Sequence, residues 1–371
     1  MKAYNLLFCF LIGLLVSVVF APLVIKLSQK FKLKQTILHY VELHKDKQGT
    51  PTMGGFIFLL GFVVAAACFL REDCLLSVIA IAVTLSFGLL GFLDDFIKIK
   101  FHQNEGLKPY QKIIGQLGIS TIIGLFAYFN GLVPNEIVLP FSNITLNLGW
   151  GIIPFVIFVM IAITNSVNLT DGLDGLAGGV SFVYLFGFAV LIYIFISNTS
   201  ATHVQTEQFN LVLISAAMMG GLGGFLCFNC NKAKIFMGDT GSLALGGLIG
   251  VLSVFSGLEL YLPILGIMFV LSALSDIIQV LHYKRTKKRV FLMAPLHHHF
   301  EKKGVHENRI VVIYIFITMA ISVFSIAMTL AVRGYEKTKI CSNFGIWCDW
   351  QSVCGTLYLK KISGFCLCER D

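Results

Sequence analysis

The chain has 371 residues, of which 56% are hydrophobic and only 13% charged, and its formal net charge is +8. Soluble proteins carry about 25% charged residues, so a soluble fold of this length is excluded, and the apolar content excludes disorder. The 35 glycines follow no three-residue period, which excludes a collagen-like chain and leaves an all-α polytopic integral membrane protein.

Long runs carry no charge at all, among them Ala3–Ile25, Cys74–Leu93, Ile113–Asn135 and Ile310–Val332. A helix needs about 20 apolar residues to cross ~30 Å of hydrocarbon. The runs predict ten spans, at 4–26, 53–70, 74–94, 113–130, 149–165, 175–197, 209–228, 241–257, 260–281 and 309–332. They are continuous rather than alternating at period two, which favours helices over a barrel. The first run is too long for a signal-peptide core and no A-x-A-like site follows it, so it is read as the first span.

Ten spans put both termini on one side. The loops 27–52, 95–112, 166–174, 229–240 and 282–308, with their border residues, fall on the other side and hold 20 of the 28 Lys and Arg. Loops 131–148 and 198–208 hold none. By the positive-inside rule the basic side is cytoplasmic and both termini are extracytoplasmic. No Lys/Arg stripe is interleaved with aromatics, so nucleic acid is not an expected partner.

The basic-side segments also gather the polar residues that a membrane protein keeps only for a reason. The first of these loops ends Lys47-Gln-Gly-Thr-Pro-Thr-Met-Gly-Gly55, a rigid turn against the membrane with Lys47 beside it. The third span ends on Asp94-Asp95, adjacent carboxylates that suit a divalent cation, or one charged and one protonated group sharing a site. Lys112 opens the fourth span and is either a phosphate ligand or a snorkelling interface residue. In Asn168-Leu-Thr-Asp171-Gly-Leu-Asp174-Gly, the three polar residues recur every third position, so one helical turn would aim them to one side.

The segment Asn229-Cys-Asn-Lys-Ala-Lys-Ile-Phe236-Met-Gly-Asp239-Thr-Gly-Ser242 leads into a hydrophobic run. Its helix start has free N–H groups for a phosphate, with Asp239 either capping the helix or holding a bridging metal. Phe236 is apolar in a polar loop and can stack a base or pack at the interface. Further on, His297, His298 and His299 follow Ala-Pro-Leu. Consecutive residues do not face one way, so they serve better as donors to a polyphosphate or sugar than as zinc ligands. Cys227 and Cys230 have C-x-x-C spacing but no matching second pair. Carboxylates, lysines and histidines on one face fit metal-assisted phosphoryl chemistry between a water-soluble donor and a bilayer-resident acceptor.

These motifs resemble the phospho-N-acetylmuramoyl-pentapeptide transferases of the polyprenyl-phosphate N-acetylhexosamine-1-phosphate transferase superfamily. Asp94-Asp95, Asn168-x-x-Asp171-x-x-Asp174-Gly and Phe236-Met-Gly-Asp239-x-Gly-Ser242 are shared across the superfamily. Gly49-Thr-Pro-Thr-Met-Gly-Gly55 and Ala294-Pro-Leu-His-His-His-Phe-Glu301 are the more specific. The resemblance implies transfer from UDP-N-acetylmuramoyl-pentapeptide to undecaprenyl phosphate in the bacterial inner membrane, with Mg²⁺ as cofactor. It implies catalytic roles for Asp94, Asp95, Asp239 and His298, with Asp239 on the metal. Substrate binding would fall to Lys47, Lys112, Asn168, Asp171, Asp174, Asn229, Phe236, His297 and His299. The lipid bilayer is the expected environment, and self-association as a homodimer is a further expectation. The resemblance covers 1–333 and leaves 334–371, a Cys-containing tail, without a role. The rivals are transfer of another UDP-sugar phosphate, which Ala-Pro-Leu-His-His-His argues against, and a transporter. Transport sites lie near the membrane midplane, where only Asp276 speaks for one.

Overall fold

The computed structural model describes residues 4–30, 49–70, 73–101, 106–134, 136–196 and 202–343. Lys47 and the tail beyond Asn343 lie outside the described residues. The chain is all-α and polytopic. It begins with α1 (Tyr4–Lys30), α2 (Gly55–Phe69), α3 (Leu75–Lys100) and α4 (Pro109–Phe129). A hairpin of β1 (Glu136–Val138) and β2 (Thr145–Asn147) precedes α5 (Ile152–Thr170), α6 (Leu176–Ile196), α7 (Thr202–Asn229) and α8 (Gly238–Ser256). The chain continues as α9 (Leu262–Leu265), α10 (Ile267–Thr286), the short α11 (Leu296–Lys302) and α12 (Glu307–Asn343).

Among the described residues, nine helices are long and apolar enough to cross a membrane. The exception among the ten predicted spans is α2. Its 15 residues cover only about 22 Å at 1.5 Å per residue. Its start is fixed by a distant segment: the Gly54 and Gly55 N–H groups donate to the carbonyls of Phe236 (2.8 Å) and Met237 (3.0 Å), and Phe236 N–H donates to Pro51 (2.8 Å). These bonds satisfy donors that a helix start otherwise leaves open.

One further expectation is corrected, and one loop carries structure of its own. The predicted span 260–281 is broken at Gly266, between α9 and α10, and α10 runs on to Thr286. The loop 131–148 holds the two-stranded hairpin.

The core is centred on α8, whose Gly-, Ala- and Ser-rich sequence lets neighbouring helices approach closely. Nearly all of it is buried, whereas α1, α4 and α12 expose rows of large apolar side chains. The end of α3, the start of α4, the end of α5 and the start of α8 meet at one end of the bundle, joined through Lys98, Lys112, Asn168 and Asp239.

Candidate active site

The convergence point is Asp239, in the first turn of α8. Asn168, in the last turn of α5, donates from Nδ2 to Asp239 Oδ1 (2.7 Å) and to Ser242 Oγ (2.8 Å). Lys112 Nζ, in the first turn of α4, lies 2.9 Å from Asp239 Oδ2. Lys98 Nζ lies 3.0 Å from the same oxygen, and it also contacts Asp94 and stands 4.0 Å from Asp95. Lys98 was not singled out by the motifs. Its signal is the i,i+4 and i,i+3 spacing from Asp94 and Asp95, which places all three on neighbouring turns of α3.

The two adjacent carboxylates have different surroundings. Asp94 Oδ1 accepts from Leu107 N–H (2.9 Å), in the segment leading to α4. Asp95 instead accepts from Asp239 N–H (3.2 Å), Thr240 N–H (2.9 Å) and Thr240 Oγ–H (2.7 Å). It caps α8 from another helix, while Met237, the residue at the cap position, makes no side-chain capping bond. The approach is close: a Cβ on Gly91, one turn before Asp95, would collide with the Asp239 carbonyl.

Asp94, Asp95 and Asp239 each offer an oxygen, all within 4.8 Å of one another. An all-oxygen donor set of this kind suits a hard divalent cation. The ammonium groups of Lys98 and Lys112 lie against the same oxygens, so the cluster is already built around positive charge.

The Asn168–Asp174 segment does not act as one helical face. Helix α5 stops at Thr170, and Asp171-Gly172 and Asp174-Gly175 follow as turns. Burial, followed by the charges of Asp239, Asp95 and Asp174, pushes the Asp171 carboxyl up to about 8. Asp174 turns towards the 229–235 loop, where its Oδ2 accepts from Ala233 N–H (3.0 Å) and its own N–H donates to Glu307 (2.8 Å). Asn229 is buried and braces the same loop, accepting from Gly175 N–H (2.9 Å) and donating to the Ile235 carbonyl (2.9 Å). Phe236 is half-buried, its backbone paired with Pro51 and Gly54.

The histidines separate, as consecutive residues on one helix must. His297 is fully buried against Tyr314, His298 pairs with Glu301 (3.0 Å), and His299 Nδ1 accepts from Leu292 N–H (3.1 Å). Helix α11 brings the first two onto the Asp171–Asp174 turn. A Cβ on Gly172 would collide with His297 Nε2 and stand 3.0 Å from His298 Nε2.

Carboxylates, lysines and histidines held at one end of a membrane-helix bundle suit phosphoryl-group chemistry at the membrane surface. Comparison with known proteins narrows the class. The family described as glycosyl transferase family 4 matches residues 77–257. The phospho-N-acetylmuramoyl-pentapeptide-transferase of Clostridium novyi is 41% identical over 332 residues, covering 89% of this chain and 99% of that relative. Proteins of the same name from Clostridioides difficile and Bacillus subtilis are each 40% identical. They cover 85% and 83% of this chain, and 95% and 93% of the relatives. The chain belongs to the phospho-N-acetylmuramoyl-pentapeptide-transferase family.

Proposed function

We propose that the chain transfers phospho-N-acetylmuramoyl-pentapeptide from its UDP donor to undecaprenyl phosphate. The observation that carries this reading is the setting of Asp239, held by Asn168, Lys98 and Lys112 at the start of α8 beside Asp94 and Asp95. The names borne by relatives that align over most of their length support the same reaction. A lipid phosphate oxygen attacks the sugar-linked phosphorus, the bond from that phosphorus to UMP breaks, and UMP leaves with the electron pair.

The main obstacle is repulsion between two anions, on the order of 4 kcal/mol for unit charges 4 Å apart at an effective dielectric near 20. Lys98 and Lys112 offset it. Mg²⁺ held by Asp239 with Asp94 would supply further Lewis-acid charge on the donor diphosphate. Asp94 orients the lipid phosphate, which is already mostly dianionic near neutral pH and so needs little help from a base. Asp95 positions Asp239. Asp171 lines the site, Asp174, Asn229 and Phe236 shape the uridine side, and His297, His298 and His299 meet the donor's phosphates or sugar, with Lys47 as a further phosphate ligand.

The excess of Lys and Arg on the site's side of the bundle supports a cytoplasmic active face in the bacterial cytoplasmic membrane and, with the short α2 counted as a tenth crossing, both termini extracytoplasmic. Residues 1–333 form the transferase domain, with 334–371 outside it.

The test is release of UMP by the purified chain with and without undecaprenyl phosphate, comparing the muramoyl donor with UDP-N-acetylglucosamine. Release should need the lipid and the muramoyl donor. A transporter would release none, and a relative of different specificity would prefer the other donor. Near-normal Mg²⁺-dependent turnover by Asp239→Asn would sink the metal assignment.

A further inference from the structure

The β1–β2 hairpin lies at the end of the bundle opposite Asp239 and takes no part in the proposed chemistry. Its register pairs Glu136 with Asn147, Ile137 with Leu146 and Val138 with Thr145. Directly opposed residues share a face and alternate residues along a strand share a face. One face therefore carries Ile137, Ile144, Leu146 and Leu148. The other carries Glu136, Val138, Thr145 and Asn147, and there Thr145 Oγ–H donates to Glu136 (2.5 Å).

The hairpin is held firmly. Val138 N–H donates to the Gly257 carbonyl (3.0 Å), just past the end of α8, and Phe141 N–H donates to Tyr261 Oη (3.1 Å). Phe141 also packs edge-on against Tyr261 and against Phe324 of α12. This fixes β1 against the bundle with Ile137 buried and leaves β2 outermost. On β2 and its flanks, Ile144, Leu146 and Leu148 are 62%, 42% and 38% exposed. In water, an outer strand with an exposed apolar face invites aggregation.

The same surface continues along the chain. Leu148 leads through Trp150, 74% exposed, into α5, which displays Phe158 in the same way, and Phe129 is exposed at the adjacent end of α4. Those helices cross the membrane, so the apolar face of the hairpin is continuous with a lipid-facing surface. Trp at the start of a span marks the bilayer–water boundary. The stretch from Gly131 to Leu148 has no Lys or Arg, and its one carboxylate, Glu136, lies on the opposite face.

We propose that this face is a lipid-binding surface, seated in the headgroup–acyl boundary of the leaflet opposite the active site. The hairpin then has a mechanical consequence. It is bonded to the far end of α8, whose 19 residues span about 28 Å. Anchoring that end in one interface sets Asp239, at the other end, at the depth of the opposite one. The inference is independent of which donor or acceptor the site takes.

The test uses single-tryptophan forms of the full chain in lipid nanodiscs. Trp150, Trp347 and Trp350 are replaced by Phe, and one Trp is placed by Leu146→Trp or, on the other face, by Thr145→Trp. Lipids brominated near the headgroup should quench Leu146→Trp roughly twofold, the depth expected for an interfacial apolar face, while aqueous iodide leaves it nearly unaffected. Thr145→Trp should respond the other way. Equal access of iodide to both positions would overturn the proposal by placing the face in water. Shielding of Leu146→Trp from both quenchers would overturn it in favour of a protein contact, such as a second copy. If Leu146→Trp does not fold, native Trp150 with only Trp347 and Trp350 replaced reports on the same surface under the same criteria.

Discussion

Asp95→Asn separates a positioning role from a reacting one. Asp95 accepts three hydrogen bonds from the first residues of α8, at 2.7 to 3.2 Å. An amide keeps one acceptor oxygen and turns an NH₂ donor towards an N–H group that also donates. Hydrogen bonds to a charged acceptor contribute about 1.5–3 kcal/mol each, and a negative charge at a helix start adds ~0.3–1 kcal/mol. Both Thr240 bonds fall on Oδ2, so an amide oxygen there keeps them and only the bond from Asp239 N–H is lost, for an expected loss of stability of about 2–4 kcal/mol. Asp239 N–H is the released group, so the first turn of α8 shifts, and a displacement of ~1 Å costs on the order of 100-fold in rate. Asp95→Asn should therefore lose apparent melting temperature and UMP release together. Thr240→Val, which removes only the hydroxyl bond, should lose about 1 kcal/mol and a smaller part of the rate. Asp94→Asn keeps an acceptor for Leu107 N–H and leaves Lys98 paired with Asp239, so it should lose rate with a smaller drop in melting temperature than Asp95→Asn. Thermal unfolding in detergent and single-turnover UMP release are the two assays. If Asp95→Asn abolishes turnover at an unchanged melting temperature while Thr240→Val is silent, Asp95 acts directly on metal or substrate and the argument fails.

Gly172→Ala puts a methyl group where His297 Nε2 lies, so donor KM should rise several-fold or more, the scale of a ~1 kcal/mol overpacking penalty; an unchanged KM would disconnect α11 from the donor. Lys98→Met removes an ammonium that shares the carboxylate oxygens with any bound cation. Mg²⁺ should then bind more tightly, read as a lower half-saturating concentration, while the maximal rate falls; a higher Mg²⁺ requirement would contradict this. Glu259, just beyond α8, is buried with Oε2 unpartnered, and burial pushes its carboxyl up to about 8. A carboxyl raised on folding costs nothing below its unfolded value and destabilises progressively as pH rises towards the folded value, by ~1.4 kcal/mol per unit at most. Glu259→Gln should match the parent near pH 4 and melt higher than it at pH 8; equal melting at pH 8 would mean that Glu259 is solvated.

Much of the fold was legible because the bilayer imposes it. Charge-free runs of about 20 residues have few alternatives to a spanning helix, and basic loops set their direction. The convergence of Asp94, Asn168 and Asp239 followed, since each lies at a helix end on the same side. The shortness of α2 was not legible: its apolar run reads to residue 53, but its start is set by pairing with Phe236 and Met237, about 180 residues away. The hairpin does carry a sequence signal, because Ile144, Leu146 and Leu148 alternate with polar residues at period two.

Helix geometry explains why the Asp94-Asp95 pair could not be divided from sequence. Side by side, the two carboxylates read as one unit, suited to sharing a metal or a proton. On α3, however, neighbouring residues are rotated by about 100°, so the two carboxylates accept hydrogen bonds from different segments even though both lie beside Lys98. One meets Leu107 and Lys98; the other meets the start of α8. The same rotation brings Lys98, three and four positions on, back between them. A motif written as consecutive letters hides this, whereas the helical period separates the anchor of α8 from a carboxylate turned to Lys98 and to the segment leading into α4. It also gives the Asp95 and Asp94 variants different signatures: loss of stability and rate together for the anchor, loss mainly of rate for the other.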